Sequence, residues 1–100
     1  MPSLRVIICN KKGLHARATA KFVKTVEHFR SDVQVKRVEP LPGQDADEHM
    51  GPVSGRSLLG LMMLGADTGT QLEIIAEGAD AQAVLASLGE LVAQRFGEEE

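Results

Sequence analysis

His15 and Arg17 have the residue types and the spacing that suit the chemistry of a phosphoryl group. They lie in the segment Gly13-Leu14-His15-Ala16-Arg17, where Gly13 can adopt backbone angles that other residues avoid and a run of helical periodicity follows. Amides at the start of a helix have no partner inside it, and the helix dipole favours negative charge there by about 0.3–1 kcal/mol. The same field favours a neutral imidazole, so His15 is predicted to act as a nucleophile.

A phosphoryl group carried reversibly must be held moderately, so that it can leave again. The Ala16 backbone amide and the Arg17 guanidinium can provide this, because a charge-assisted hydrogen bond contributes about 1.5–3 kcal/mol. A metal ion or an arginine cluster would hold the group too tightly for a carrier. The competing interpretation is a histidine with a solvated ring at a helix start, because short motifs often match by chance.

Composition favours one compact domain over residues 1–100. The chain has 43% hydrophobic residues, and its formal net charge of -3 gives no general case for nucleic-acid binding. Cys9, the only cysteine, excludes an intrachain disulfide, fits a reducing compartment and is interpreted as a small buried residue. No apolar stretch approaches the roughly 18 residues that span a bilayer, and the start lacks a signal-peptide core. We therefore expect a cytoplasmic monomer with no membrane contact, cofactor or metal.

The elements that must position His15 follow the order β-α-β-β-α-β-α. The pattern predicts an α+β fold, a sheet with its helices on one face, since that arrangement buries all the apolar stripes. Asp80 is predicted to cap the last helix. The predicted elements are a strand over Leu4–Cys9, a helix over Ala16–Phe29, a strand over Val33–Lys36, an edge strand near Val53, a helix from Ser57 to Leu64, a strand over Leu72–Glu77 and a final helix reaching Phe96.

Two segments fall outside this pattern. Residues 38–52 contain prolines, glycines and several acids, which predicts an elaborated, solvated surface loop of unassigned role. The tail over residues 97–100 is expected to be frayed, with no function required.

The short helix after Ser57 is apolar nearly all round. Ser57 is a good N-cap, and we expect Leu61 and Leu64 to pack inward. Leu58, Leu59 and Met62 are then left for docking a partner protein; packing against a neighbouring loop is the alternative.

A basic strip on the first helix leads away from His15. Its members include Lys21 and Lys24, which are predicted to contact acidic partners. A solvated helix face is the equally weighted alternative.

Gly13-Leu14-His15-Ala16-Arg17 with its apolar helix resembles the active-site motif of the HPr family, the histidine phosphocarriers of the bacterial phosphotransferase system. Ser57-Leu58-Leu59-Gly60-Leu61-Met62 resembles the second family signature, so the resemblance covers essentially the whole chain. It implies an open-faced β-sandwich with four antiparallel strands and three helices. It also implies phosphorylation of His15 on Nδ1, with Arg17 as charge partner, enzyme I as donor and an EIIA-type protein as acceptor.

Two features depart from the family pattern. Ala18 stands where many carbohydrate-branch members have proline, which resembles nitrogen-related and alphaproteobacterial members and favours a regulatory output over sugar transport. The 38–52 loop is also longer than the family's compact turn. By resemblance, Ser57 matches a regulatory serine that an HPr kinase/phosphorylase modifies in some relatives.

A second functional hypothesis is a regulatory binding module on the same scaffold. Its partner binding would be switched by phosphorylation at His15 or Ser57. A self-contained enzyme is disfavoured, because the sequence has no glycine-rich phosphate loop and no metal-ligand set; the donor is then another protein.

Overall fold

A computed structural model of the chain describes residues 1–40, 43 and 50–100. Within these residues the elements follow the predicted order, and a 3-10 turn over Arg95–Gly97 follows the last helix. The elements are β1 (Ser3–Ile7), α1 (Ala16–Glu27), β2 (Asp32–Arg37), β3 (Val53–Ser54), α2 (Leu58–Met63), β4 (Gln71–Glu77) and α3 (Ala81–Ala93).

The sheet is antiparallel throughout and has the strand order β1-β4-β2-β3. The central strands β4 and β2 pair with Val35 opposite Ile74, and the short edge strand β3 places Val53 opposite Val35. The predicted α+β open-faced sandwich is confirmed. Strand β1 pairs with β4, and α3, which follows β4 in the chain, also packs against β1.

One face of the sheet carries the core. Leu72, Ile74 and Ala76 of β4 are buried while the residues between them are more exposed, as the period of two in a strand requires. The helices cover this face with fully buried side chains such as Phe22 and Leu88. The opposite face is open to solvent.

Cys9 lies outside the core, so its interpretation as a buried residue is wrong. Strand β1 ends at Ile7, and Ile8 fills the last core position beyond it, with 1% of its surface exposed. Alternation then turns the next side chain outward. Cys9 is exposed, and its Sγ donates to the carbonyl oxygen of Val92 at 3.3 Å.

Asp80 stands at the N-cap position of α3 but does not cap that helix, contrary to the prediction. Its carboxylate accepts from the amides of Arg30 and Ser31, both 2.9 Å away, and from the Ser31 hydroxyl. These bonds, the hydroxyl first, hold the pKa of Asp80 below its ordinary value. Asp80 therefore joins the turn after α1 to the start of α3.

The predicted loop over residues 38–52 lies largely outside the described residues. Of its described part, Met50 accepts a hydrogen bond from the Arg37 amide at 2.8 Å. None of the helices among the described residues is long and apolar enough to cross a membrane.

Candidate functional site

The turn before α1 fixes where His15 stands. Gly13 has φ of 68°, and a Cβ there would lie 2.5 Å from the carbonyl oxygen of Ala66, so the close approach of these backbones requires glycine. The same oxygen accepts from the amide of Leu14 at 2.9 Å, and the Leu14 side chain is 6% exposed. Leu14 thus anchors the turn in the core and leaves the next residue at the surface.

His15 is the N-cap residue of α1, with extended backbone at φ -77° and ψ 179°. Its carbonyl oxygen accepts from the Thr19 amide at 2.8 Å, and the Thr19 hydroxyl donates to the Leu14 carbonyl oxygen at 3.1 Å. The imidazole Nδ1 accepts from the Arg17 amide at 3.3 Å. The ring therefore faces the amides of the helix start, as the sequence predicts, and Nδ1 has its lone pair rather than a proton.

Ala16 and Arg17, which follow His15 in the motif, are both exposed. The amide that reaches the ring belongs to Arg17; the amide of Ala16 has no hydrogen-bond partner among the described residues. The Arg17 guanidinium makes no ion pair or hydrogen bond within that part of the chain, and it lines a cleft beside the imidazole. Both groups are available to an incoming anion.

The tail over residues 97–100, which the sequence predicts to be frayed, lies against this site. The Glu98 carboxylate contacts His15 Nε2 through Oε2 and accepts from Asn10 Nδ2 through Oε1 at 3.1 Å. The carbonyl oxygen of Glu100 accepts from the Lys11 amide at 2.8 Å. These contacts join the tail to the turn before α1.

Phe96 brings the tail to this position. Its side chain is 1% exposed, and both it and Arg95 have φ of 56°, so the chain reverses direction after α3. The Lys21 Nζ donates to the Phe96 carbonyl oxygen at 2.6 Å. Lys21, expected to contact partners, is therefore engaged within the protein.

The ring, the tail and the 11–12 turn enclose a cleft of about 620 Å³. The His15 side chain is 28% exposed there, enough for a reacting group to reach it. Lys11 pairs with Glu100 at 3.4 Å, but both are largely exposed, so the pair contributes little to stability. Lys12 and Arg17 add positive charge to the lining of the cleft, and the glutamates of the tail add negative charge.

Sequence reasoning missed Glu98 and Asn10 as parts of this site. Asn10 is fully buried, and its Nδ2 also donates to the Gly13 carbonyl oxygen at 2.7 Å, so it joins the turn to the tail. The one local signal was Phe96, an apolar residue at the end of the last helical pattern, whose burial draws the following residues back to the core.

Helix α2 divides its apolar residues as expected. The Ser57 Oγ accepts from the Gly60 amide at 3.0 Å and caps the helix, while Leu61 and Leu64 are fully buried. The outward side chains are exposed by 41–71%, and one of them, Met63, was not anticipated. The exposed apolar patch consists of Leu58, Leu59, Met62 and Met63.

Further along α1, Lys24 is exposed. His28, at the end of the same helix, has its Nδ1 2.7 Å from the Lys24 carbonyl oxygen and belongs to no site. Among the described residues no cluster of three or more His, Cys, Asp or Glu side chains could hold a metal ion; His49 lies outside them.

Comparison with known proteins agrees with this geometry. Residues 2–94 match the family described as the PTS HPr component phosphorylation site. The chain belongs to the HPr family. A phosphocarrier protein HPr of Neisseria meningitidis is 40% identical over 93 residues, which cover 93% of this chain and 92% of that protein.

Solved HPr structures share the fold. The crystal structure of HPr-C-His from Thermoanaerobacter tengcongensis superposes with a TM-score of 0.83 at 34% identity and covers 100% of both chains. A crystal structure described as an HPr dimer from the same organism has a TM-score of 0.66 at 34% identity, covering 98% of this chain and 100% of that one. The present chain is thus an HPr-type phosphocarrier of the phosphotransferase system.

Proposed function

We propose that this chain accepts a phosphoryl group from enzyme I on Nδ1 of His15 and passes it to an EIIA-type protein. The observation that carries the proposal is the hydrogen bond from the Arg17 amide to Nδ1. A ring nitrogen that accepts a hydrogen bond has no proton of its own, so its lone pair can attack phosphorus. The exposure of the ring leaves room for a partner's phosphoryl group.

In the transfer step the Nδ1 lone pair forms a bond to phosphorus. The bond from phosphorus to the donor atom breaks at the same time, and its electron pair leaves on the donor. The new phosphoryl oxygens then lie near the helix start, where the Arg17 amide, released from Nδ1, and the Ala16 amide can donate to them. Transfer to the acceptor reverses these changes and restores the lone pair.

Arg17 is proposed to neutralise charge on the moving phosphoryl group. Its guanidinium is exposed and not engaged by any described residue, so it can turn towards the anion without breaking an internal bond. One arginine and two amides hold the group moderately, and a carrier needs that in order to release it again.

The exposed apolar patch is proposed to dock both donor and acceptor. Leu58, Leu59 and Met62 are 45%, 71% and 41% exposed on a helix that packs against α1, whose start carries the reacting histidine. Methionine adapts its shape to different partners, and a carrier must bind at least two. Lys24, which is exposed on α1, is proposed to meet acidic side chains of a partner.

Regulation through Ser57 is proposed for hosts that contain an HPr kinase/phosphorylase. A phosphate on this N-cap would stand beside the apolar patch, where its charge opposes docking. The regulatory output, tied to nitrogen use rather than to sugar transport, rests on Ala18 in the motif. We further propose a cytoplasmic monomer; a sedimentation profile of the purified chain distinguishes it from a dimer of the kind described for the Thermoanaerobacter protein.

The test uses phosphoenolpyruvate, enzyme I and the purified chain. An acid-labile phosphorylated adduct should form and disappear when an EIIA-type protein is added. His15→Ala should abolish the adduct, whereas His28→Ala, which removes an exposed histidine from the same helix, should leave it intact. An adduct on the His15→Ala variant would overturn the assignment.

A further inference from the structure

The Nε2 edge of His15, opposite the nitrogen that is proposed to react, faces the carboxylate of Glu98. The two residues are 83 positions apart in the chain, so the contact exists only in the folded protein. The Glu98 side chain is 18% exposed, less than the imidazole beside it. Its other oxygen, Oε1, accepts a hydrogen bond from Asn10 Nδ2, so both carboxylate oxygens have partners.

Three further contacts hold the tail in place around this pair. Phe96 is buried in the core, and Lys21 binds the Phe96 carbonyl oxygen. Asn10 is buried between Gly13 and Glu98 and donates to both. The tail is therefore held from the helix side by Lys21, through the Phe96 carbonyl oxygen, and the Glu98 carboxylate is held from the turn side by Asn10.

The carboxylate is ionised under ordinary conditions. Hydrogen bonds from His15 and then Asn10, together with the positive charge of Lys12, hold the pKa of Glu98 below its ordinary value although partial burial opposes them. An ionised carboxylate only accepts hydrogen bonds, so Nε2 must have the ring proton. The Arg17 amide independently requires Nδ1 to lack one. Both contacts select the same tautomer.

The carboxylate also acts on the ring as the reaction proceeds. When Nδ1 bonds to phosphorus, the imidazole retains its Nε2 proton and becomes positively charged. The Glu98 carboxylate lies at that proton, on the far side of the ring from the phosphoryl group, so it stabilises the charge that develops. On transfer to an acceptor the ring leaves as the neutral tautomer, and no proton has to move in either direction.

We infer that Glu98 is a positioning residue for phosphoryl transfer, one that orients the His15 ring and offsets its developing charge. The inference rests on the proposed function of His15. The opposite hypothesis treats the tail as a cover that must leave the histidine before a donor can approach. The two hypotheses predict opposite effects of replacing Glu98 on the rate of phosphoryl transfer. Removing a cover speeds transfer, whereas removing a positioning group slows it.

The test compares Glu98→Ala, Glu98→Gln and the matched control Glu99→Gln in the full chain. Glu99 is the adjacent tail glutamate and is exposed, so its replacement changes net charge without touching the ring. Glu98→Ala should lower kcat for phosphorylation by enzyme I about tenfold, as loss of a partner that orients a histidine typically does, with KM for the carrier nearly unchanged. Glu98→Gln can still accept from Nε2 but has no charge, so its kcat should lie between.

A spectroscopic measurement separates positioning from a structural role. The proton between Nε2 and Glu98 should give an imidazole N–H signal protected from solvent exchange in the unphosphorylated protein. The signal should persist in Glu99→Gln and disappear in Glu98→Ala while the amide spectrum of the sheet is retained. Faster transfer in Glu98→Ala, an unchanged kcat, or a rise in KM alone would each overturn the inference.

This test distinguishes the inference from the proposed function. The N–H signal is recorded without any donor, and so it reports on Glu98 even if enzyme I proves not to phosphorylate the chain. Wild type that forms no adduct would refute the proposed function, whereas wild type and Glu98→Ala reacting equally would refute only the role of Glu98. If Glu98→Ala loses its fold, Glu98→Gln supplies the kinetic test: it keeps an acceptor for Nε2 but has no charge, so a kcat equal to that of Glu99→Gln would refute the role of Glu98.

Discussion

Lys21 on α1 and Phe96 beyond α3 are joined by a hydrogen bond of 2.6 Å from Nζ to the carbonyl oxygen. The bond links the helix that begins at His15 to the segment that contains Glu98, so one contact holds two parts of the site together. Replacing Lys21 with Met keeps a long aliphatic side chain but removes the ammonium group that donates to the Phe96 carbonyl oxygen.

Lys21→Met should lower the free energy of unfolding by about 1–2 kcal/mol, since a charged donor is lost from a partly buried carbonyl oxygen. Urea denaturation followed by circular dichroism measures the change. Lys24→Met, a substitution at an exposed site on the same helix, is the control and should stay within about 0.5 kcal/mol of wild type. Equal losses in both variants would contradict the role given to the Phe96 contact.

The free energy of unfolding should fall in acid because the Asp80 carboxylate becomes protonated. The Ser31 hydroxyl, the Arg30 amide and the Ser31 amide lower the pKa of this carboxyl below its ordinary value of 3.8. A carboxylate with a lowered pKa in the folded state contributes stability that is fully present above the unfolded value and is lost as pH falls through the folded one. Part of the stability present at pH 7 should therefore disappear below about pH 4.

Asp80→Asn should reduce stability at pH 7 and flatten its decline in acid, because the amide has one acceptor oxygen and does not titrate in this range. Urea denaturation at a series of pH values checks both effects. The control is Asp32→Asn, an exposed aspartate at the start of β2. If Asp80→Asn declined in acid as steeply as wild type, another group would be responsible.

Gly13→Ala should destabilise the protein by about 1–3 kcal/mol and slow phosphorylation. Its φ of 68° is unfavourable for alanine, and the added Cβ would meet the Ala66 carbonyl oxygen at 2.5 Å, which would push the turn that precedes His15 away from Ala66. Gly69→Ala is the matched control, because Gly69 has φ of 91° and a Cβ added there would meet nothing within 4 Å. The difference between the two variants measures the clash alone, and equal transfer rates would show that the clash does not reach His15.

Leu59→Ala and Leu61→Ala should separate docking from folding. Leu59 is 71% exposed, so its truncation should change stability by less than about 0.5 kcal/mol yet raise KM for enzyme I. Leu61 is fully buried, and its truncation should lower the free energy of unfolding by about 2–5 kcal/mol. An unchanged KM in Leu59→Ala would remove this residue from the docking surface.

The fold could be predicted from the sequence because its signals are local. The period of two in Leu72, Ile74 and Ala76 and the helical period after His15 each show which face of an element is buried. The capping of α2 by Ser57 was likewise predictable, since the hydroxyl and the amide it serves are three residues apart.

The rest of the site could not be predicted because it depends on contacts between distant residues. A glutamate after Phe96 resembles any solvated polar residue, and only the folded chain brings Glu98 to His15. Asp80 shows the same limit: its sequence position favours a helix cap, yet donors about 50 residues earlier bind its carboxylate instead. Cys9 was predicted to be buried, but the last inward-facing residue after β1 is Ile8, and Cys9 follows it on the exposed side.

The contacts of Glu98 with Asn10 and His15 also bear on biosynthesis. A ribosome makes residue 10 long before residue 98, so a nascent chain has its histidine well ahead of the carboxylate that faces it. Proteolysis just after Phe96 would likewise leave a molecule that has His15 but lacks Glu98. If Glu98 positions the ring, such a truncated molecule would accept the phosphoryl group more slowly than intact molecules that use the same donor.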